Sequence, residues 1–233
     1  MQQQKVVRKI SKFIEFTPEQ KERAAAVDLE EFLLRQGEKL IKSGREKRLA
    51  SDHSVTVRGC ELAWIGGSIL YDTTRYGNAV ECWENCDGFL VENCYIYQIY
   101  DTGITHQGRD KHVHMRDIVY RNNLIDYCTW GIEYYHSDLS ALMSHVVFEG
   151  NIIRFIGYGW GNQRPDKDAA SGIKSWGAPN RAEDFVVRGN ILDTASYDVF
   201  EFLAGAGEDS LPKLSGNTYI QKRNGQAGRY GCV

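Results

Sequence analysis

Three glutamates and a lysine recur at one position of a repeated strand, and their spacing suits acid–base work on either side of a bound water. The segments NAVECW (78–83), GITHQ (103–107), GIEYYH (131–136), GIKSW (172–176) and VFEFL (199–203) superimpose. Successive residues of a strand face opposite ways. With the apolar Val80, Ile104, Ile132, Ile173 and Phe200 turned inward, the next residues form an outward column of Glu81, Thr105, Glu133, Lys174 and Glu201. The opposite phase would bury three of these charges without partners, at high cost. Two strands of separation place Glu81 about 9.6 Å from Glu133, and Glu133 equally far from Glu201. Inverting glycoside hydrolysis holds its two carboxyl groups roughly 6.5–9.5 Å apart. Lys174, one strand from both Glu133 and Glu201, should favour their ionised forms, which makes Glu81 the better acid and Glu133 the better base. The column reads equally well as a solvated ladder of alternating charge.

Two residues further on, Trp83, Gln107, Tyr135, Trp176 and Leu203 form a second outward column. Outward rings are costly unless covered, and either sugar stacking or loop packing would cover them. An elimination would instead need a base and a cation beside a developing enolate. Lys174 or Arg164 could take those parts, with Tyr135 as the acid. Strict alternation sends His106 into the core beside Cys82, Tyr134, Ser175 and Phe202; turned out at its strand end, it could act as a base near Tyr135 or His136. The glutamates together with Asp166 and Asp168 offer oxygen ligands for calcium, but no compact acidic cluster is present, so the expected cofactor is none.

These strands belong to a larger repeat. VRGCELA, VENCYIY, YRNNLID, FEGNIIR, VRGNILD and LSGNTYI align without gaps, and one column reads Cys60, Cys94, Asn123, Asn151, Asn190, Asn217, with steps of 27 to 39 residues. Such a period in β-branched and aromatic strands indicates a solenoid, whose all-strand form is the parallel β-helix. The Asn column fits a stacked turn in which each amide bonds its neighbours. Two long excursions, 66–77 and 156–171, enter the strand that bears the charges and should wall a groove there, the second supplying Trp160 and Arg164.

Residues 1–50 differ from the repeat domain at 51–233. Thr17-Pro18-Glu19-Gln20 is a helix start with a hydroxyl N-cap, and Ala25, Leu29, Phe32, Leu33 and Leu40 continue at helical spacing to about Lys42. This segment would cap or tether the repeats, and an open end of the stack would favour oligomers. A net charge of −3 argues against a nucleic-acid partner. There is no apolar run long enough for a membrane span and no signal-peptide core, which leaves both secreted and cytoplasmic locations open. The cysteines lack zinc spacing. Those on the repeat strands read as small apolar core residues, though Cys60 and Cys94 are close enough to bridge.

From about residue 53 to 221, with motifs WIGGSI, RYGNAVE, YQIYDTGITHQ and NQRPDKDAASGIKSW, the chain resembles the right-handed parallel β-helix proteins of the pectate-lyase-like superfamily. The resemblance implies an all-β, right-handed parallel β-helix; the repeats count about five to six rungs, and the α-helical segment of residues 1–50 lies outside the resemblance. It also implies a carbohydrate-active enzyme, with hydrolysis favoured over uronate elimination and a non-catalytic glycan-binding or structural role as the rival from another class. The expected catalytic residues are Glu81, Glu133, Lys174, His106 and Tyr135. Trp83, Gln107, Trp176, Arg164, Trp160, Glu201 and His136 are expected to hold a carbohydrate.

Overall fold

The structure, a computed structural model, describes residues 55–67, 76–163, 169–176, 179–222 and 227–233. The helix expected over 17–42, together with Arg164, Asp166 and Asp168, lies outside the described residues. What is described is all-β. In chain order the strands come in threes: β1 (Val55–Arg58), β2 (Glu61–Ala63), β3 (Val80–Trp83); β4 (Asp87–Glu92), β5 (Tyr95–Tyr97), β6 (Thr102–Gly108); β7 (His114–Arg121), β8 (Leu124–Asp126), β9 (Trp130–His136). They continue as β10 (Leu142–Glu149), β11 (Ile152–Ile156), β12 (Ile173–Ser175); β13 (Ala182–Arg188), β14 (Ile191–Ala195), β15 (Phe200–Ala204); and β16 (Lys213–Ser215), β17 (Thr218–Ile220), β18 (Gly228–Cys232). Each strand pairs with those three places before and after it, giving three six-stranded sheets, β1-β4-β7-β10-β13-β16, β2-β5-β8-β11-β14-β17 and β3-β6-β9-β12-β15-β18. Every pairing is parallel, as in the Ile104↔Ile132 and Val146↔Phe185 registers.

The physical origin of this cycle lies at the corner between the first two sheets. Gly59, Asn93, Asn122, Gly150, Gly189 and Gly216 all adopt positive φ of 54° to 63°. Glycine and asparagine enter that region at least cost. The next residue in each level is the predicted amide column, and the structure stacks it. Asn123 donates from its backbone N and its Nδ2 to Asn151 Oδ1 at 3.1 and 2.9 Å, Asn151 does the same to Asn190 at 2.9 and 3.0 Å, and Asn190 to Asn217 at 2.9 Å for both. The remaining amide hydrogens go to the carbonyls of Val91, Tyr120, Phe148 and Val187. Buried amides in a low-dielectric turn are stable only when saturated in this way.

One continuous cluster of buried apolar side chains draws on all three sheets, among them Val91, Ile118 and Val146 from the first, Ile96, Ile125 and Ile153 from the second, and Ile104, Ile132 and Ile173 from the third. Gly131 and Gly172 open two strands or approaches of the third sheet. A Cβ on Gly131 would lie 2.3 Å from the Gly172 carbonyl and 2.5 Å from Ile153 Cγ2, so the levels close to this distance only without a side chain.

Cys94 and Cys128 are buried core residues as expected, and the departure lies elsewhere. Cys82 and Cys86 form a disulfide across the turn after β3, whereas Cys60 and Cys94 remain free thiols, as do Cys128 and Cys232. Cys94 Sγ instead donates to the Glu92 carbonyl, and burial pushes its thiol up to about 11.

Candidate active site

The third sheet fixes the charged column in the predicted register. Glu81 pairs with Thr105, Thr105 with Glu133, Glu133 with Lys174 and Lys174 with Glu201. The ladder continues one strand further than expected, from Glu201 to Arg229 on β18. The inward neighbours Ile104, Ile132 and Ile173 are fully buried, so the strand phase is as expected.

The outward face, however, is not bathed in solvent. Glu81 is exposed, while Thr105, Glu133, Lys174 and Glu201 are buried. Side chains of the same layer cover and pair them. Glu133 Oε2 accepts from Thr102 Oγ1 at 2.5 Å and Oε1 accepts from Gln107 Nε2 at 2.8 Å, with a further hydrogen bond to the Trp176 side chain. Lys174 Nζ donates to Glu201 Oε1 at 3.0 Å and lies 4.4 Å from the centre of the Trp176 ring. Arg229 closes the far end, bonding Glu201 through Nη2 and Asp198 through Nε.

Lys174 was expected to favour the ionised forms of both glutamates, and the structure pairs it with one. Lys174 commits its charge to Glu201, and Glu133 receives only neutral donors. Burial, with Asp101 and Glu81 adding like charge, outweighs the Thr102 and Trp176 hydrogen bonds and pushes the Glu133 carboxyl up to about 7. Glu133 is therefore held towards its neutral form, whereas Glu81 is exposed and accepts from Asn78 Nδ2 at 2.9 Å. Burial and the neighbouring Arg229 lower the Lys174 ammonium.

In the second outward column Trp83 is exposed, and Gln107, Tyr135, Trp176 and Leu203 are half-buried. The Arg109 guanidinium lies 5.4 Å from the Trp83 ring centre. Trp176 stands edge-on to Trp130 at 5.3 Å. Trp160, expected to wall the groove, packs instead against Tyr100 and Trp64 at the end of the second sheet, at 5.2 and 6.2 Å.

The two histidines leave the catalytic set. His106 is wholly buried, with Nδ1 2.9 Å from the Tyr120 hydroxyl, Nε2 3.2 Å from Met143 Sδ and its ring stacked near Tyr134. Burial depresses its pKa to about 3, so it is a neutral core residue. His136 is also fully buried, its Nε2 accepting from the Arg181 N–H at 3.0 Å, which makes it a pin between the third sheet and β13. Its pKa is likewise lowered by burial.

Sequence reasoning missed Thr102, Asp198 and Arg229. The last had a partial signal: in Gly228-Arg229-Tyr230 a charge precedes a ring as in Glu133-Tyr134 and Glu201-Phe202, but a glycine stands where the other strands carry an apolar inward residue. Among the described residues no group of three or more His, Cys, Asp or Glu could hold a metal ion, and no helix is long and apolar enough to cross a membrane. Comparison with family models, with curated proteins and with solved structures finds no match for this chain.

Proposed function

We propose that residues 55–233 form a right-handed parallel β-helix whose third sheet carries an inverting glycoside hydrolase site, with Glu133 as general acid and Glu81 as general base. The three-strand cycle repeated through six levels, with its buried amide stack, supports the architecture. The observation that carries the chemistry is Glu133: a buried carboxyl raised to about 7 and electrostatically coupled to a solvent-facing glutamate on the next strand but one.

A leaving alkoxide needs a proton at the moment the glycosidic bond breaks, and an acid with a pKa near the working pH supplies it best. Gln107 Nε2 donates to Oε1, so the proton of the neutral form falls on Oε2, and the Thr102 hydroxyl, which donates to Oε2 in the ionised form, then becomes its acceptor. Glu81, about 9.6 Å along the ladder, leaves room for a water between itself and the anomeric carbon. Trp83, Tyr135 and Trp176 line the column beside this pair and would stack on sugar rings. Elimination is the weaker reading, because Lys174, one of the two residues expected to serve it as base or cation, is bound to Glu201, and the other, Arg164, lies outside the described residues.

The test is a panel of neutral and acidic polysaccharides, followed by new reducing ends and by absorbance near 235 nm. The expected result is reducing ends without absorbance, reduced at least about 100-fold in Glu133→Gln. Absorbance rising with the reducing ends, or activity that survives Glu133→Gln, contradicts the proposal.

A further inference from the structure

We infer that the site selects uncharged glycan chains and disfavours polyuronates; this rests on the glycosidase reading and names its substrate class. Binding a uronate requires a cation free to meet each carboxylate, usually in a bidentate or directly opposed geometry. The two cations in the charged column are already committed. Lys174 Nζ is bonded to Glu201 and roofed by the Trp176 ring. Arg229 spans Glu201 and Asp198 with separate nitrogens and has its guanidinium 5.4 Å from the Tyr197 ring centre. Releasing either would leave the buried Glu201 carboxylate, 3% exposed, short of a partner.

The charge that the column does offer outward is negative. Glu81 is its exposed carboxylate, and its hydrogen-bond partner is the neutral amide of Asn78. At the end of the aromatic column the Arg109 guanidinium lies over Trp83, and Glu84 accepts from the Arg109 backbone N–H at 3.2 Å. The remaining groups facing the strip are an amide, Gln107, and the rings of Tyr135 and Trp176. Amides match sugar hydroxyls and rings match the apolar faces of pyranoses. A chain of carboxylates would meet the Glu81 charge, and neither cation of the charged column, Lys174 or Arg229, is free to repay its desolvation.

The experiment compares each acidic polymer with its own carboxyl-reduced form, prepared so that backbone and linkage stay the same, alongside ordinary neutral glycans. Initial rates are read as reducing ends with the full chain. The expected result is cleavage of neutral chains, and for any backbone attacked in both forms a reduced-form rate roughly tenfold or more above that of the acidic form. Glu201→Gln, which takes the shared carboxylate from Lys174 and Arg229, should narrow that ratio. Acidic forms cleaved as fast as reduced ones overturn the specificity while leaving the hydrolase reading in place. A ratio unmoved in Glu201→Gln removes these ion pairs as its cause. No cleavage of any polymer overturns the hydrolase reading and the specificity with it.

Discussion

Two polar columns run across the same stack of strands, and they solve burial in opposite ways. At the first corner Asn123, Asn151, Asn190 and Asn217 are neutral and identical, and each of the first three donates both its backbone N–H and its side-chain amide to the next. On the third sheet Glu81, Thr105, Glu133, Lys174, Glu201 and Arg229 are mixed in charge and unevenly paired, and one carboxyl is forced towards its neutral form. The first arrangement suffices to hold levels together. The second does so no better than amides would, and it keeps ionisable groups displaced from their ordinary pKa, which is what acid–base chemistry uses.

The sharpest way to break the comparison is in the middle of the amide column. Asn151→Ala removes the acceptor shared by the Asn123 N–H and Nδ2 and the donor to the Tyr120 carbonyl, all in buried surroundings. Three groups losing a partner should cost about 4 kcal/mol or more, read as a lower urea midpoint; a loss below about 1 kcal/mol would mean that the stack is not what holds the corner.

The charged column should respond to pH instead. The ordinary Glu133 pKa is 4.5 and the folded value is about 7. The neutral form therefore favours the fold: stability is fully present below about pH 4.5 and is lost as pH rises towards 7, by on the order of 3 kcal/mol in all. Urea unfolding at pH 5 and pH 8 should show that decline in the wild-type chain, and Glu133→Gln should lack it. Identical pH dependence in the two proteins would refute the assignment.

Smaller effects sharpen the contrast between centre and edge. Asn217 ends the amide column and is half-buried, so Asn217→Ala should cost about 1 kcal/mol against the larger loss at Asn151. The smallest is expected on the first sheet, where exposed His145 bridges Asp117 at 3.1 Å and Asp184 at 3.6 Å. His145→Ala should change stability by no more than about 0.5 kcal/mol, and a loss comparable to Asn217→Ala would show that exposed ladders matter more than this account allows.

Why the amide column was legible and the charged one only half so follows from the same contrast. A stacked corner returns each Asn to the same environment at every level, so the sequence repeats both the residue and the preceding Gly or Asn of positive φ. The register of Glu81, Glu133 and Lys174 was legible for the same reason. Which partner each charge takes was not, because Lys174 stands one strand from two glutamates and the choice depends on side-chain reach, Trp176 and Arg229. Equally hidden was the second set of positive-φ residues at the ends of the second-sheet strands, Trp64, Gln98 and Tyr127 just after β2, β5 and β8, and Phe155 and Thr194 next to last in β11 and β14: five unlike side chains held there by the stack rather than by their own preference. The Cys82–Cys86 bridge was missed because both cysteines sit where small apolar residues also fit.

The most direct test of the central claim is the titration of Glu133 itself, following its carboxyl carbon by NMR in the full chain labelled at glutamate and assigning the resonance by its disappearance in Glu133→Gln. A midpoint near pH 7 is predicted, and a midpoint near 4.5 would leave Glu133 ionised at neutral pH and remove the acid on which the proposed function depends.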